Sequence, residues 1–327
     1  MQWPRWTADP PTAGDLARWA FYVGLRRGLR DRSEVAVQTV ASLGRLAPLR
    51  RGPSRALLAD EFARCGLDGD VDEAWALQWR TAVAELTLGT TAPEQARARV
   101  AFHGWEHLEA ARARGRGVVW VYPHAGPVML MLAALVARGV PYVQVAARGL
   151  APADLAAAHP ELLRHTPLRE SVRRAREADE DRIGARFATA AGPLRALHRA
   201  LGRNEVVGIA FDGRTGGRWV PTPFLGRTAL LNPGAFRLAA ATGAMLVPVV
   251  VSTRVDAPGA RCDLGAPVPG DAPDAMARVL AHVEPRLRAC PSEYGAWLLH
   301  CRVRAGIDDH PMFVDQASDD RWRRWVG

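Results

Sequence analysis

The chain has 327 residues, of which 48% are hydrophobic, so it is long enough for one large folded domain with a smaller helical part, and extensive disorder is excluded. Its formal net charge is +9, and every basic residue is arginine, which excludes chemistry that needs a lysine nucleophile or a lysine Schiff base. The arginine excess favours an anionic partner such as a phospholipid surface, a phosphopantetheine carrier or a nucleotide. Four cysteines without metal or redox spacing predict a reduced cytoplasmic protein with no metal site.

The first 92 residues are predicted to form a helical region that packs on the rest of the chain. Apolar residues recur three and four positions apart in segments 33–49, 54–65 and 71–88, which is typical of amphipathic helices. Trp75, Trp79 and Val83 share one side of the third segment and are expected in the core. The longest apolar segment, residues 128–137, is far shorter than the roughly 20 residues that a membrane-spanning helix needs, so no span is predicted.

Segment 16–29 combines aromatic residues with arginines and has two interpretations. It is either a helix in a membrane interface, which makes the protein peripheral to the inner face of the plasma membrane, or a helix that packs on the domain and exposes its arginines to solvent.

Strands and helices alternate from residue 93 to residue 305. This βαβ alternation predicts an α/β domain with a central, mostly parallel sheet flanked by helices, followed by a tail at 306–327. The predicted strands are 100–104, 118–122, 141–146, 206–211 and 245–251, and the predicted helices are 105–114, 128–138, one around 170–181, 193–201, 234–242 and 272–288.

The central segment, residues 117–129, places one histidine at a conspicuous point. An apolar run from Val118 to Tyr122 predicts a strand buried on both faces, and a helix follows after Gly126-Pro127. His124 therefore lies at the carboxyl end of a strand, beside a helix N-terminus, where open α/β sheets bind their ligands. A neutral imidazole in this place is suited to accept a proton from an attacking hydroxyl.

Two further polar residues follow predicted strands. Asp212 comes after the strand at 206–211, and Arg148 after the strand at 141–146, so both are expected at the same sheet edge as His124. A base, a carboxylate and a guanidinium at one edge indicate a group-transfer site. Each residue also has a structural interpretation: a hydrogen-bonded or surface histidine, a turn at Asp212-Gly213, and a solvated arginine.

Residues 216–227 are rich in glycine and proline, which predicts a loop. Its apolar residues are suited to line an acyl chain or to cover the site, and the alternative is a hairpin tip that packs on the domain. Directly after it, Asn232-Pro233 is predicted to cap the helix at 234–242.

At this point the sequence resembles the bacterial lipid A biosynthesis (late, HtrB-like) acyltransferases, a group that includes phosphatidylinositol mannoside acyltransferases. The matching blocks are Arg-Val-Ala-Phe-His-Gly-Trp-Glu-His-Leu-Glu at 99–109, Gly-Arg-Gly-Val-Val-Trp-Val-Tyr-Pro-His-Ala-Gly at 115–126, Phe-Asp-Gly at 211–213, Pro-Phe-Leu-Gly-Arg at 223–227, Gly-Ala-Phe-Arg-Leu-Ala at 234–239, Val-Pro-Val at 247–249 and Trp-Leu-Leu-His-Cys-Arg at 297–302.

The resemblance implies a glycerolipid-acyltransferase-like fold and an activity. An acyl group would move from an acyl-carrier-protein or acyl-CoA thioester to a hydroxyl or amine of a glycolipid or secondary-metabolite acceptor, without a metal or redox cofactor. It implies His124 as general base, with Arg148 and Asp212 in the catalytic set. The implied substrate-binding positions are Gly126, Met129, Pro223, Phe224, Gly226, Arg227 and Asn232.

One departure from the family pattern affects the catalytic assignment. The family motif has Asp or Glu where this chain has Met129, and a thioether cannot stabilise an imidazolium. Three interpretations stay open: Asp212 or another carboxylate, such as Glu85 or Glu293, replaces the acid; His124 acts alone; or the protein is a degenerate member that binds an acyl chain or a carrier protein.

The family's N-terminal membrane span is also not predicted here, which favours a soluble or peripheral enzyme and a smaller acceptor. Nucleic acid is not an expected partner, because the arginines are dispersed along the chain and no recognised motif is present.

Overall fold

The computed structural model describes residues 12–29, 34–44, 53–146, 166–188, 194–214, 218–253, 259–305 and 311–317, together with Arg323 and Val326. Most of its strands form one sheet, and two form a separate hairpin. The strands are β1 (Val100–His103), β2 (Val118–Tyr122), β3 (Tyr142–Val145), β4 (Arg186–Ala188), β5 (Val206–Ala210), β6 (Val220–Phe224), β7 (Arg227–Leu231), β8 (Met245–Thr253), β9 (Ala260–Leu264) and β10 (Val268–Pro269).

The central sheet has eight strands in the order β1-β9-β8-β2-β5-β3-β4, with β10 paired to β8. The five strands from β8 to β4 run parallel to one another, which confirms the predicted α/β class with a mostly parallel sheet. The strand β2 lies between β8 and β5 in the middle of the sheet. Its carboxyl end is therefore flanked by the carboxyl ends of two neighbours.

The first predicted strand takes a different place from the one expected. The strand β1 pairs in parallel with β9, and β9 is antiparallel to β8, so β1 runs against β2 at the sheet edge instead of extending the parallel set. Strand alternation along the chain does not specify which strands become neighbours. The strands β9 and β10, which the sequence analysis did not predict, provide that edge.

The all-apolar sequence of β2 follows from its position between two helical layers. Each of its five residues is buried. Val119 and Val121 face one apolar cluster, whereas Val118, Trp120 and Tyr122 face the other. A strand covered on both faces has little room for polar side chains, so the pattern reads as a continuous hydrophobic run.

The helices surround this sheet on both faces and form the N-terminal region. The α-helices are Ala13–Trp19, Arg26–Leu29, Glu34–Ser42, Pro53–Arg64, Val71–Thr87, Pro93–Ala98, Trp105–Ala113, Val128–Val136, Pro167–Ile183, Leu194–Gly202, Gly234–Thr242, Ala275–Ala289 and Gly295–Ala305; Ala20–Leu25 is a π-helical segment and Pro291–Tyr294 a 3-10 turn. The helices predicted between residues 16 and 288 are present with bounds shifted by a few residues, except that residues 45–49 of the helix predicted at 33–49 lie outside the described residues.

The aromatic and basic N-terminal segment packs on other helices. Phe21 contacts Trp79 with ring centroids 5.0 Å apart, and the Trp79 indole donates to the carbonyl of Val40 at 2.9 Å. Arg26 is bound by Asp179 of the helix Pro167–Ile183. These contacts match the packing interpretation of the segment.

Residues 220–231 form a β-hairpin rather than the predicted loop. The strands β6 and β7 are antiparallel, and the turn residues Leu225 and Gly226 have φ of +52° and +73°, which a primed hairpin turn requires. The prolines in β6 are tolerated because the hairpin has only two strands, so one edge needs no N–H donors. Phe224 and Leu225 are buried, as the alternative of a packed hairpin tip predicted.

Within the described ranges, none of the helices combines the length and the apolar character that crossing a bilayer requires. The predicted boundaries at residues 92/93 and 305/306 stay predictions, and Arg148 lies outside the described residues.

Candidate active site

His124 lies at the carboxyl end of β2, where a tight turn leads into the helix Val128–Val136. Gly126 in this turn has φ of +65°, and a Cβ atom there would collide with the Val251 carbonyl of β8. Only glycine allows this close approach of the two backbones. Pro127 stands just before the helix, as its N-cap rather than its first residue. The turn thereby fixes the backbone of His124 against the neighbouring strand.

Asp212 reaches the same place from β5. The N–H of Phe211 donates to the carbonyl of Tyr122 at 3.2 Å, which continues the pairing of β2 with β5 beyond the strand ends. Asp212 therefore follows directly beside His124. Its carboxylate is fully buried, whereas the His124 side chain is 38% exposed.

Three donors hold this buried carboxylate. His124 Nδ1 lies 2.7 Å from Oδ1 of Asp212, and the backbone N–H of His124 donates to Oδ2 at 2.9 Å. The hydroxyl of Tyr294 donates to Oδ2 at 2.8 Å. Burial raises the pKa of the Tyr294 hydroxyl well above its usual value, so this group stays a donor.

This arrangement determines which nitrogen of the imidazole is available for chemistry. A carboxylate at Nδ1 places the proton of the neutral ring there, which leaves Nε2 as an acceptor. The His124 side chain is 38% exposed, so the protein does not enclose the imidazole. The pair has the geometry of a general base with an orienting carboxylate.

An aromatic residue that the sequence analysis did not select completes the surroundings of His124. Trp297 stacks on the imidazole with ring centroids 3.8 Å apart and an interplanar angle of 13°. Tyr294 and Trp297 lie three residues apart on the segment Pro291–Ala305. The available signal was the family-like block at residues 297–302, which contains Trp297.

The other two carboxylates considered as replacements for the motif acid have different partners. Glu85 lies 3.6 Å from Arg176. Glu293 accepts a hydrogen bond from Thr253 Oγ1 at 3.2 Å, and burial raises the pKa of its carboxyl to about 7. Of the three candidates, Asp212 is the one in contact with His124.

Met129, at the position of the family's acid, lies in the first turn of the helix Val128–Val136. Its half-buried side chain packs on the apolar cluster of one sheet face and lines a cleft between the helices. Other residues of this cleft are Tyr22, Arg26, Glu85, Leu86, Leu88, Arg176, Asp179, Glu180 and Ile183.

The hairpin residues proposed for substrate binding make packing contacts. Arg227 pairs with Glu61 at 2.6 Å and Asp315 at 2.7 Å, and it lies over the Phe313 ring. Phe224 packs edge-to-face on the rings that flank Asp212, those of Phe211 and Tyr294.

The remaining hairpin positions and the predicted cap complete this set. Pro223 is exposed on β6, and Gly226 forms the turn. Asn232 Oδ1 accepts from Gly234 N at 2.7 Å, which fulfils the predicted capping role although Pro233 takes the N-cap position. The assignment of the hairpin residues and Asn232 to substrate binding stays a prediction.

The described part of the chain contains no group of three or more His, Cys, Asp or Glu residues arranged to hold a metal ion. The site brings a histidine and a buried aspartate together at the carboxyl edge of a mostly parallel sheet, where open α/β sheets bind their ligands.

Comparison with known proteins identifies the class of reaction. The family model for bacterial lipid A biosynthesis acyltransferases matches residues 71–302, and the chain belongs to this family. It is therefore an acyltransferase, as the sequence resemblance implied. Among solved structures, the chain is similar to the 1-acyl-sn-glycerophosphate (LPA) acyltransferase PlsC from Thermotoga maritima, with 14% identity and a TM-score of 0.34 over 71% of this chain and 86% of that one. No protein with a curated description matches the chain.

Proposed function

We propose that this acyltransferase moves an acyl group from an acyl-carrier-protein or acyl-CoA thioester to a hydroxyl or amine of a lipid or small-molecule acceptor, with His124 as general base. The observation that carries the proposal is the 2.7 Å contact between His124 Nδ1 and the buried Asp212, on a ring whose side chain is 38% exposed. This combination supplies a base with a defined tautomer at a point that substrate can reach.

The reaction would proceed by direct attack on the thioester. The acceptor oxygen or nitrogen bonds to the carbonyl carbon while His124 Nε2 takes its proton, and the carbonyl oxygen becomes an oxyanion. The C–S bond then breaks. His124 returns the proton to the departing sulfur, which leaves as the thiol. Asp212 stabilises the imidazolium in between. Of the backbone N–H groups at the start of the helix after Gly126, that of Met129 is the proposed donor to the oxyanion, because those of Val128 and Leu130 donate to the carbonyls of Gly126 and Pro127.

Under this mechanism, Asp212 supplies the carboxylate that the family motif has at the position of Met129. A fully buried carboxylate is costly to desolvate, and it is held here by His124 and Tyr294. The acid that orients the base would then come from the end of β5 rather than from the helix after the histidine. This favours an active enzyme over the alternative of a degenerate acyl-chain or carrier-protein binding module.

The parts of the substrate are assigned as follows. Arg148, which follows β3, would bind the phosphate of the donor or acceptor. Met129, with Leu86, Leu88 and Ile183 in the same cleft, would contact the acyl chain. The acceptor would be a glycolipid or a secondary metabolite. The proposed location is cytoplasmic, either free or peripheral to the inner face of the plasma membrane.

The test compares His124→Ala with wild type in acyl transfer from labelled acyl-carrier-protein and acyl-CoA donors. The acceptor is chosen by mass spectrometry of lipid that co-purifies with the protein. We expect a loss of kcat of about three orders of magnitude or more. His198→Ala, at an exposed histidine on the helix Leu194–Gly202, is the matched control and should keep the wild-type rate. Equal rates for His124→Ala and wild type would refute the base assignment.

A further inference from the structure

The contact between His124 and Trp297 is unusually close for a pair of aromatic rings. Their centroids are 3.8 Å apart, and the rings are within 13° of parallel. Aromatic pairs in proteins more often have centroids about 4.5–7 Å apart in offset or edge-to-face geometry. Here the indole covers one face of the imidazole.

Packing, rather than a hydrogen bond, holds the indole against the described part of the chain. The Trp297 Nε1 atom is buried and has no hydrogen-bond partner among the described residues. The half-buried side chain packs on the apolar cluster of one sheet face. Its ring contacts are with His124 and, one turn further along the helix, with His300 at 4.9 Å.

The stack supplies a restraint that Asp212 cannot provide. The Nδ1 to Oδ1 hydrogen bond restrains one atom of the imidazole, but it leaves the ring plane able to tilt about Nδ1. A flat surface at van der Waals distance restricts this tilt. Since Nε2 lies across the ring from Nδ1, a tilt about Nδ1 displaces Nε2 from an attacking hydroxyl.

The segment that carries Tyr294 and Trp297 contacts both His124 and Asp212. Tyr294, in the 3-10 turn Pro291–Tyr294, binds the carboxylate of Asp212, and Trp297, in the first turn of the next helix, covers the ring of His124. We propose that Trp297 is a positioning residue that holds the imidazole plane of His124 so that Nε2 faces the acceptor. This inference rests on the proposed role of His124 as the base.

A positioning role for Trp297 predicts a defined kinetic signature. In Trp297→Leu the flat surface is lost, and kcat should fall by about 10- to 100-fold with KM changed less than about 3-fold, because misplacing a reacting group by about 1 Å can cost about 100-fold. Trp297→Phe keeps a flat ring and should recover most of kcat. Trp105→Leu, on the helix Trp105–Ala113, is the control for loss of an indole elsewhere and should keep the wild-type kcat.

A spectroscopic measurement tests the same inference without turnover. The proton between His124 Nδ1 and Asp212 Oδ1 should give a far-downfield proton NMR resonance that is absent from His124→Ala and Asp212→Asn. Trp297→Phe should retain this resonance, and Trp297→Leu should broaden it, because a mobile ring exchanges this proton faster with water.

The outcomes separate this inference from the proposed function. If His124→Ala is inactive but Trp297→Leu keeps both kcat and the resonance, the positioning role is wrong while the base assignment stands. A rise in KM alone in Trp297→Leu would make Trp297 a substrate contact, which also overturns the inference. Thermal unfolding of each variant accompanies the assays, and a Trp297→Phe protein that folds but shows neither kcat nor resonance would contradict the requirement for a flat ring.

Discussion

His124 and Asp212 are 88 residues apart in the chain, and their side chains meet at 2.7 Å at the ends of the adjacent strands β2 and β5. The second oxygen of Asp212 also accepts the backbone N–H of His124 at 2.9 Å. Two contacts from one carboxylate to one residue fix both the backbone and the ring of the histidine. In this chain the partner of the histidine therefore comes from a neighbouring strand, whereas the family motif takes it from the following helix.

Asp212→Asn tests whether this carboxylate acts on the base. The amide keeps the shape of the side chain, but its NH2 group favours the wrong tautomer of His124 and provides no charge for the imidazolium. By analogy with the loss of the acid in a serine-protease triad, kcat should fall by up to about 10⁴-fold. Initial rates across a range of acceptor concentrations would show the loss in kcat.

Glu293→Gln is the matched control for this prediction, because Glu293 is a half-buried carboxylate near the same sheet edge that binds Thr253 instead of His124. Glu293→Gln should lose far less kcat than Asp212→Asn. Similar losses in the two variants would argue against a specific role of Asp212.

Tyr294→Phe removes one donor from the carboxylate of Asp212 and keeps the ring. Hydrogen bonds to charged groups contribute about 1.5–3 kcal/mol, so the variant should lose about 10- to 100-fold in kcat, about 1.5–3 kcal/mol in free energy of unfolding, or smaller amounts of both. Measurements of kcat and of urea unfolding on the same preparations show how the loss divides between activity and stability. A variant with wild-type values in both measurements would show that the 2.8 Å contact between the hydroxyl and Oδ2 contributes nothing.

Much of the fold was predictable because it depends on local patterns. The apolar run at Val118–Tyr122 reflects the helices that cover both faces of β2, and this pattern is visible without coordinates. The direction of β1 was not predictable, because it depends on pairing with β9, some 160 residues later. The hairpin at residues 220–231 was predicted only as the alternative to a loop, because proline normally argues against strands, and two-stranded edges are the exception.

The candidate site was predictable only in part. Strand ends in a parallel sheet share one edge, so His124 and Asp212 were expected close together. The sequence did not determine which carboxylate would contact the imidazole, because Glu85 and Glu293 also carry a carboxylate. Only the strand order makes β5 the neighbour of β2. Trp297 was missed because an aromatic residue on a helix resembles core packing unless its partner ring is known.

Met129→Glu restores the family's acid at its motif position, and we expect it to decrease activity rather than increase it. Asp212 already occupies Nδ1 of His124, so the new carboxylate would have no base to orient. It would also enter a cleft whose two arginines, Arg26 and Arg176, are already paired with Asp179 and Glu85. Burying a charge without a dedicated partner should destabilise the fold by roughly 1–3 kcal/mol.

Met129→Leu conserves the volume and should cost less than about 1.5 kcal/mol. Thermal unfolding and acyl transfer are measured for both variants. A gain in activity in Met129→Glu would indicate that the natural site is degenerate.

Gly126→Ala probes the turn that carries His124. The added Cβ would require positive φ in a non-glycine residue and would collide with the Val251 carbonyl, so either the turn or β8 must move. We expect a loss of stability of about 1–3 kcal/mol from this strain and a marked fall in kcat.

Gly139→Ala is the control at the other end of the same helix, since Gly139 has φ of +76° but open space where a Cβ atom would lie. Gly139→Ala should lose only the stability that a positive φ costs a non-glycine residue, and it should keep nearly wild-type kcat. Equal kcat in the two variants would mean that the turn geometry at Gly126 does not position the base.

Glu293 should make the stability of the protein depend on pH. Burial raises the pKa of its carboxyl from 4.5 to about 7. Between these values the folded state keeps a proton that the unfolded state has released, so the contribution of Glu293 to the free energy of unfolding falls as pH rises, and it becomes constant above about pH 7. Glu293→Gln cannot ionise. Its stability relative to wild type should therefore increase from pH 5 to pH 8, by on the order of 1.4 kcal/mol for each pKa unit crossed.

Urea unfolding of wild type and variant at the two pH values measures this difference. Glu170→Gln is the control, because hydrogen bonding to Arg173 lowers the pKa of Glu170 to about 2, so that this carboxyl is ionised in the folded state across the range. In the unfolded state it is also mostly ionised by pH 5, so its variant should show little change between the two conditions. If the stability difference between Glu293→Gln and wild type is also the same at both pH values, the Glu293 carboxyl is solvated and ionises normally in the folded protein.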